Sequence, residues 1–85
     1  MNKNDIRLSI FEILHRIAPE ANLDTLDPNE SLREALDIDS FDFLKVLVAL
    51  NEQFQVDIPE ADYRRVATLN GMIDYLHTHA PSQSR

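Results

Sequence analysis

The sequence predicts an all-α domain of four helices, one of them short. Three observations lead there. Apolar residues recur at helical spacing in three stretches, capping residues and prolines stand at their ends, and no apolar-polar alternation is long enough to make a sheet. There is no internal repeat and no low-complexity tract.

In the first stretch Ile6, Ile10, Ile13, Leu14 and Ile17 share one face, with Asn4 as N-cap and Pro19 as the stop, which predicts an amphipathic helix over about residues 5–18. Pro19 to Asp39 has no sustained period and is a long loop for so small a domain, so local structure must hold it. Ser31-Leu32-Arg33-Glu34 matches a capping box, and the short turn it starts points Leu32 and Leu36 at the core.

From Ser40 to about Gln55 the chain is helical and strongly apolar, and its wheel has two sides. Phe43, Val46, Leu47, Leu50 and Phe54 make a core side. Phe41, Leu44, Lys45, Val48 and Glu52 make an outer side, an apolar strip edged by Asp42, Lys45 and Glu52 where a surface helix is ordinarily polar. Either neighbouring helices bury both sides, an alternative that holds for Leu44, or a partner visits the strip. Pro59 fits the first position of a short helical turn through Tyr63, with Ile58 pushed to an extended conformation. Thr68 caps a last helix whose apolar face is Leu69, Met72, Ile73 and Leu76. Residues 1–80 read as one domain and 81–85 as a flexible polar tail.

Eighty-five residues with 44% hydrophobic content leave room for one small core, and with no cysteine that core has neither a disulfide nor a thiolate-bound zinc to support it. The same absence, together with an N-terminus that lacks a signal-peptide pattern, makes the cytosol the expected compartment. A formal charge of −7 disfavours nucleic acid and anionic membranes as partners and favours a protein with a basic patch, although acidic charge also simply keeps a small protein soluble.

Several chemistries fail on their residues. Asp37-Ile38-Asp39-Ser40-Phe41-Asp42 imitates a calcium loop, but Phe41 stands where a ligand is needed, Asp42 where the turn needs glycine and Val48 where the bidentate glutamate belongs. His77 and His79 do not share a helical face, and His15 has no second ligand at metal spacing, so no metal site is expected and His15 belongs on or near the surface. No G-x-S-x-G elbow surrounds Ser40, and with Gly71 as the only glycine there is no phosphate loop, so an enzyme is the class least supported.

Ser40 has a different use. With Asp39 as N-cap, Ser40 falls at the first helical position with its hydroxyl turned outward. A phosphodiester there lies at the positive end of the helix dipole, favoured by up to about 1 kcal/mol, and the carboxylates of Asp37 and Asp39 suit a Mg²⁺ that screens the incoming phosphate. On the dipeptide alone, a plain Asp-Ser capping pair is the better reading.

More than the dipeptide is present. Ser31-Leu32-Arg33-Glu34-Ala35-Leu36, Asp39-Ser40-Phe41, Ile58-Pro59-Glu60, Thr68-Leu69 and Ile73-Asp74-Tyr75-Leu76 resemble, in order and spacing, the loop anchor, serine motif, Ile-Pro-acid turn and last helix of the acyl carrier protein family. The resemblance implies a four-helix acyl-carrier-like bundle with a long first loop and a short third helix. It implies a noncatalytic, monomeric carrier whose Ser40, beside Asp39, receives phosphopantetheine from coenzyme A through a separate phosphopantetheinyl transferase. Acyl groups then ride as thioesters on the arm's thiol between acyl-loading and acyl-accepting enzymes. By the same resemblance, Phe41, Asp42, Leu44, Lys45, Val48 and Glu52 form the partner-binding strip, and Phe43, Val46, Leu47, Leu50 and Phe54 line an acyl-chain pocket.

The departures from the family pattern are Asp37 where glycine is common, Phe41 where leucine is usual, Lys45 where a glutamate often lies, and Arg64-Arg65 in the third helix. They imply a carrier of a specialised lipid or polyketide-type pathway, and the start at Met1 with no flanking module is expected of a discrete, freestanding one. An aminoacyl or peptidyl carrier of nonribosomal synthesis, and an unmodified acidic adaptor that uses Ser40 only as structure, are the competing readings.

Overall fold

The computed structural model describes residues 2–80; the expected tail, 81–85, lies outside them. Four α-helical segments follow in order: α1 (Lys3–Ile17), α2 (Leu32–Ala35), α3 (Ser40–Phe54) and α4 (Leu69–His79), with 3₁₀ segments at Leu23–Thr25 and Glu60–Val66. α1, α3, the second 3₁₀ segment and α4 are the four principal helices of the expected bundle, and no strand is formed among the described residues.

α1 starts earlier than its sequence suggests. Asn2, not Asn4, is the N-cap: its extended backbone lets Oδ1 accept the Asp5 amide at 2.8 Å. Asn4 already lies within the first turn, where its Oδ1 accepts from Arg7 Nη2 at 2.8 Å. Ile6, Ile10, Ile13 and Leu14 are buried, and the helix stops as the Ala18 amide reaches the Leu14 carbonyl, one residue before Pro19.

The long loop is held across the chain. Ser31 and Thr68 form an isolated antiparallel bridge, the Leu32 amide donates to the Ala67 carbonyl at 2.8 Å, and the Asn70 amide donates to the Pro28 carbonyl at 3.0 Å. The expected capping box does not form, because Ser31 spends its extended backbone on this bridge and its side chain makes no cap hydrogen bond. Leu32 and Leu36 are nevertheless buried, as their spacing requires.

α2 ends in a tight reversal. The Ile38 amide donates to the Arg33 carbonyl at 3.0 Å and the Asp37 amide to the Glu34 carbonyl at 3.3 Å, the paired bonds of a Schellman motif, with Asp37 left-handed at φ 54. The glycine common at this position in the family that the sequence resembles fits this geometry: an L-residue here carries Cβ strain, which aspartate tolerates better than most.

α3 closes at Gln55, also left-handed at φ 57, and Asn51 Nδ2 donates to the Val56 carbonyl at 2.9 Å to fix the extended segment that follows. Pro59 stands at the N-cap of the 3₁₀ helix, one position ahead of the expected one, and the turn runs on to Val66 rather than stopping near Tyr63. Thr68 Oγ1 accepts the Gly71 amide at 3.0 Å, as expected of the α4 cap. A Cβ on Gly71 would run into the Arg65 carbonyl oxygen, so the only glycine of the chain sits where backbone meets backbone.

α1 packs on both α3 and α4, and the 3₁₀ helix packs on α4. Every buried side chain among the described residues is apolar or aromatic, so transfer of hydrophobic surface from water supplies the cohesion. Tyr75, absent from the expected core face, is buried with its hydroxyl donating to Asp62 Oδ2 at 2.7 Å. Arg65 lies over its ring at 5.0 Å.

Two stability outcomes follow from these contacts. Asp37→Gly raises the unfolding free energy by about 0.5–1 kcal/mol and Asp37→Ala lowers it, since only the first relieves the left-handed strain; urea midpoints of the three proteins check the order. Burial first, then the hydrogen bond to Asp62, pushes the Tyr75 phenol above its ordinary value of 10.0. The folded chain thus retains a proton that the unfolded chain releases, so the contribution is complete below about pH 10 and is lost as pH rises through the folded value. Between about pH 9 and 11, Tyr75→Phe loses less of its urea midpoint than the wild type.

Candidate functional site

The reversal at Asp37 delivers the chain to Asp39, whose extended backbone (φ −89°, ψ −180°) makes it the N-cap of α3. Its Oδ1 accepts the Asp42 amide at 2.9 Å. Ser40 is then the first helical residue, exposed, with its hydroxyl outside the cap. The arrangement suits a phosphodiester: the remaining free amides of the first turn and the helix dipole favour negative charge at that oxygen.

Behind Ser40 the outer side of α3 is open. Phe41 is 75% exposed, Val48 57% and Leu44 40%, which settles the alternative of burial by neighbouring helices for all three. With Lys45, Ala49 and Glu52 they line a shallow groove of about 370 Å³. Lys45 Nζ lies 3.6 Å from Asp42 Oδ1 one turn earlier, so these two of the three charges edging the strip offset each other in an exposed pair, leaving Glu52.

Phe43, Val46, Leu47, Leu50 and Phe54 are all buried on the other side. Of these, Leu47 reaches a second groove of about 310 Å³, between α3 and the segment Asp57–Tyr63, that it shares with Leu44, Val48, Asn51, Ile58 and Tyr63. Sequence spacing along α3 missed Asn51, Ile58 and Tyr63, because two of them come from another segment and only the fold brings them to the helix. The alternating polarity of Val56-Asp57-Ile58 was the available signal.

The remaining candidates stay apart. No group of three or more His, Cys, Asp or Glu able to hold a metal occurs among the described residues. Asp37 and Asp39 are both exposed, and one oxygen of Asp39 is engaged by the cap. His15, His77 and His79 are exposed, and His79 stacks on Tyr75 with ring centres 4.2 Å apart. No helix among the described residues is long and apolar enough to cross a membrane.

Comparison with known proteins agrees with this geometry. The family described as "Phosphopantetheine attachment site" matches residues 10–76, a span that holds Ser40, both faces of α3 and most of α4. The chain is 30% identical over 76 residues to the acyl carrier protein of Acidothermus cellulolyticus, covering 89% of each protein. It is 30% identical over 60 residues to the acyl carrier protein of Cyanidioschyzon merolae, covering 71% of this chain and 66% of that one. Acyl carrier proteins are noncatalytic, and phosphopantetheine is the group that this family bears. An exposed serine at a helix start, an apolar strip behind it and these matches over most of the chain together show that it belongs to the phosphopantetheine-attachment family of acyl carrier proteins.

Proposed function

We propose that this chain carries acyl groups on phosphopantetheine bound through Ser40 Oγ and presents them to partner enzymes of a specialised lipid or polyketide-type pathway. The observation that carries the reading is the division of labour at the start of α3: Asp39 makes the cap, which leaves Ser40 free to be modified without loss of structure. When bound, the group supplies a terminal thiol that holds cargo as a thioester, chemistry that a chain without cysteine cannot provide for itself.

The chain's own residues then orient and recognise. The first turn of α3 holds the phosphate oxygen at its positive end. Phe41, Leu44 and Val48 offer apolar contact beside the serine, where a transferase and the acyl-handling enzymes must all approach, and Asp42, Lys45 and Glu52 edge that contact. The groove beside Leu47 gives an acyl chain apolar walls at Leu44, Val48 and Ile58. Residues 1–80 work as one monomeric unit in this reading.

Ser40→Ala should remain helical and lie within about 0.5 kcal/mol of the wild type, since the cap is untouched, and should gain no mass when incubated with coenzyme A and a broad phosphopantetheinyl transferase. The wild type gains one phosphopantetheine. Modification at Ser31 instead, or collapse of the variant, defeats the assignment.

Partner choice gives a second outcome. Phe41→Ala lowers kcat/KM for the cognate pathway enzyme about tenfold, the effect of losing an exposed aromatic anchor worth roughly 1.4 kcal/mol. Lys45→Glu replaces a neutralised edge with a negative one, improving kcat/KM for an enzyme adapted to housekeeping fatty-acid carriers and impairing it for the cognate enzyme. Transfer kinetics at low salt measure both, and unchanged rates with both enzymes for Lys45→Glu remove the support for a specialised pathway.

A further inference from the structure

A third cavity opens on the loop side of Ser40. It is a cleft of about 450 Å³ between the end of α1 and the reversal after α2, and it shares no lining residue with the two grooves along α3. Ile17, Ala21, Leu36 and Ile38 give it apolar walls, and the exposed acids Glu20 and Asp37 stand on its border. Both walls are held by backbone hydrogen bonds. On one side the Ala18 amide reaches Leu14 at 2.7 Å and the Ala21 amide reaches Ala18 at 3.0 Å; on the other stand the paired bonds of the Asp37 reversal.

We propose that this cleft is a resting site for the pantetheine portion of the arm, an inference that rests on attachment at Ser40. Three features select that occupant. The first is reach: Ile38 is two residues before Ser40, so their Cα atoms are at most about 7.6 Å apart, and a group tethered to Ser40 meets the cleft at an effective concentration of about millimolar, enough to fill even a weak site. The second is polarity. Pantetheine offers amide N–H and hydroxyl donors and a pair of methyl groups but no charge beyond its phosphate, which matches carboxylate acceptors set beside aliphatic walls.

The third feature is exclusion. Glu20 and Asp37 repel a free anion, and a bare hydrocarbon chain gains nothing from these exposed acids while the groove along α3 offers it Leu44, Leu47, Val48 and Ile58. The phosphate stays at the start of α3, and the neutral part of the arm lies back across the Asp37 reversal. Asp37 thus has a consequence beyond backbone strain, because glycine at that position would remove one of the two acceptors.

The test compares backbone amide NMR spectra of the unmodified and phosphopantetheinylated protein, with one added group confirmed by mass. The expected result is shift changes at Ala18, Glu20, Ala21 and Leu36–Ile38 in addition to those at the attachment point, with the changes at Ala18–Ala21 reduced at least twofold in an Asp37→Gly/Glu20→Gln protein carrying the same group. Asp37→Gly suits this purpose because it keeps the left-handed reversal. Changes confined to residues 39–44, changes centred instead on Val48, Ile58 and Tyr63, or changes at Ala18–Ala21 undiminished in the double variant overturn the inference while leaving the carrier reading intact. Absence of any mass gain overturns the carrier reading and the inference with it.

Discussion

A backbone seam between the end of the long loop and the start of α4 is the constraint on which the functional end of this molecule depends. The Leu32 amide bonds to Ala67, the Asn70 amide bonds to Pro28, and the Asn70 side chain donates to Asn29 Oδ1 at 2.8 Å across 41 residues of sequence. Without that seam, residues 18–31 would be held only by short local turns and by the partial burial of Ala18, Ala21, Leu23 and Leu26. With it, Leu32 and Leu36 are driven into the core, α2 has a fixed start, and the reversal at Asp37 has a rigid base. Asp39 is then presented at one angle, so the position of Ser40 follows from contacts with Ala67, Thr68 and Asn70, well over 20 residues further along the chain. The same seam needs Gly71, since the first turn of α4 passes too close to the Arg65 carbonyl for any side chain.

α3 divides its surface between holding the fold and meeting other molecules. Phe43, Val46, Leu47, Leu50 and Phe54 leave 8% or less of their surface to water, while Phe41, Leu44 and Val48 on the same helix leave 40% or more. Exposing three large apolar side chains side by side gives up burial that this small core would otherwise use, a loss that the proposed docking role of the strip would offset. With Lys45 and Asp42 offsetting each other, Glu52 is left as the unmatched charge on the strip's edge, and apolar contact is the strip's main resource.

The sequence was legible where periodicity and chemistry are local. The three long helices, the Thr68 cap, the Asp39 cap, the outward Ser40 and the two faces of α3 all follow from spacing and side-chain type within a few residues. Illegible features depended on distant partners. Ser31-Leu32-Arg33-Glu34 reads as a capping box because nothing nearby reveals that Thr68 will take Ser31 into a bridge. Asn2 and Asn4 are equally good caps on paper, and the choice fell to whichever residue had the extended backbone. Tyr75 was overlooked because its polar hydroxyl disguises a core residue, and its partner Asp62 lies on another helix. The groove beside Leu47 and the cleft between α1 and the Asp37 reversal were beyond reach for the same reason, each being lined from two segments, whereas the groove on the outer strip is lined by α3 alone and was legible.

Charge is distributed so that attraction and fit act at different places. Residues 20–42 contain eight carboxylates against the single base Arg33, a balance equal to the formal −7 of the entire chain, whereas α1 with Lys3, Arg7 and Arg16 is slightly basic. The negative field is therefore concentrated on the loop that leads into Ser40, and the apolar contact lies on the helix that leads away from it. A field of this kind acts over about 10 Å at moderate salt and raises encounter rates with basic surfaces, but it discriminates weakly among them. Apolar strips act only on contact and depend on shape. In the proposed function, a basic partner drawn toward the loop arrives with its active site near Ser40, and only one whose surface accepts Phe41, Leu44 and Val48 gains enough contact to stay. A carrier that must be reached by several enzymes and released by each has reason to keep these two functions on opposite sides of its serine.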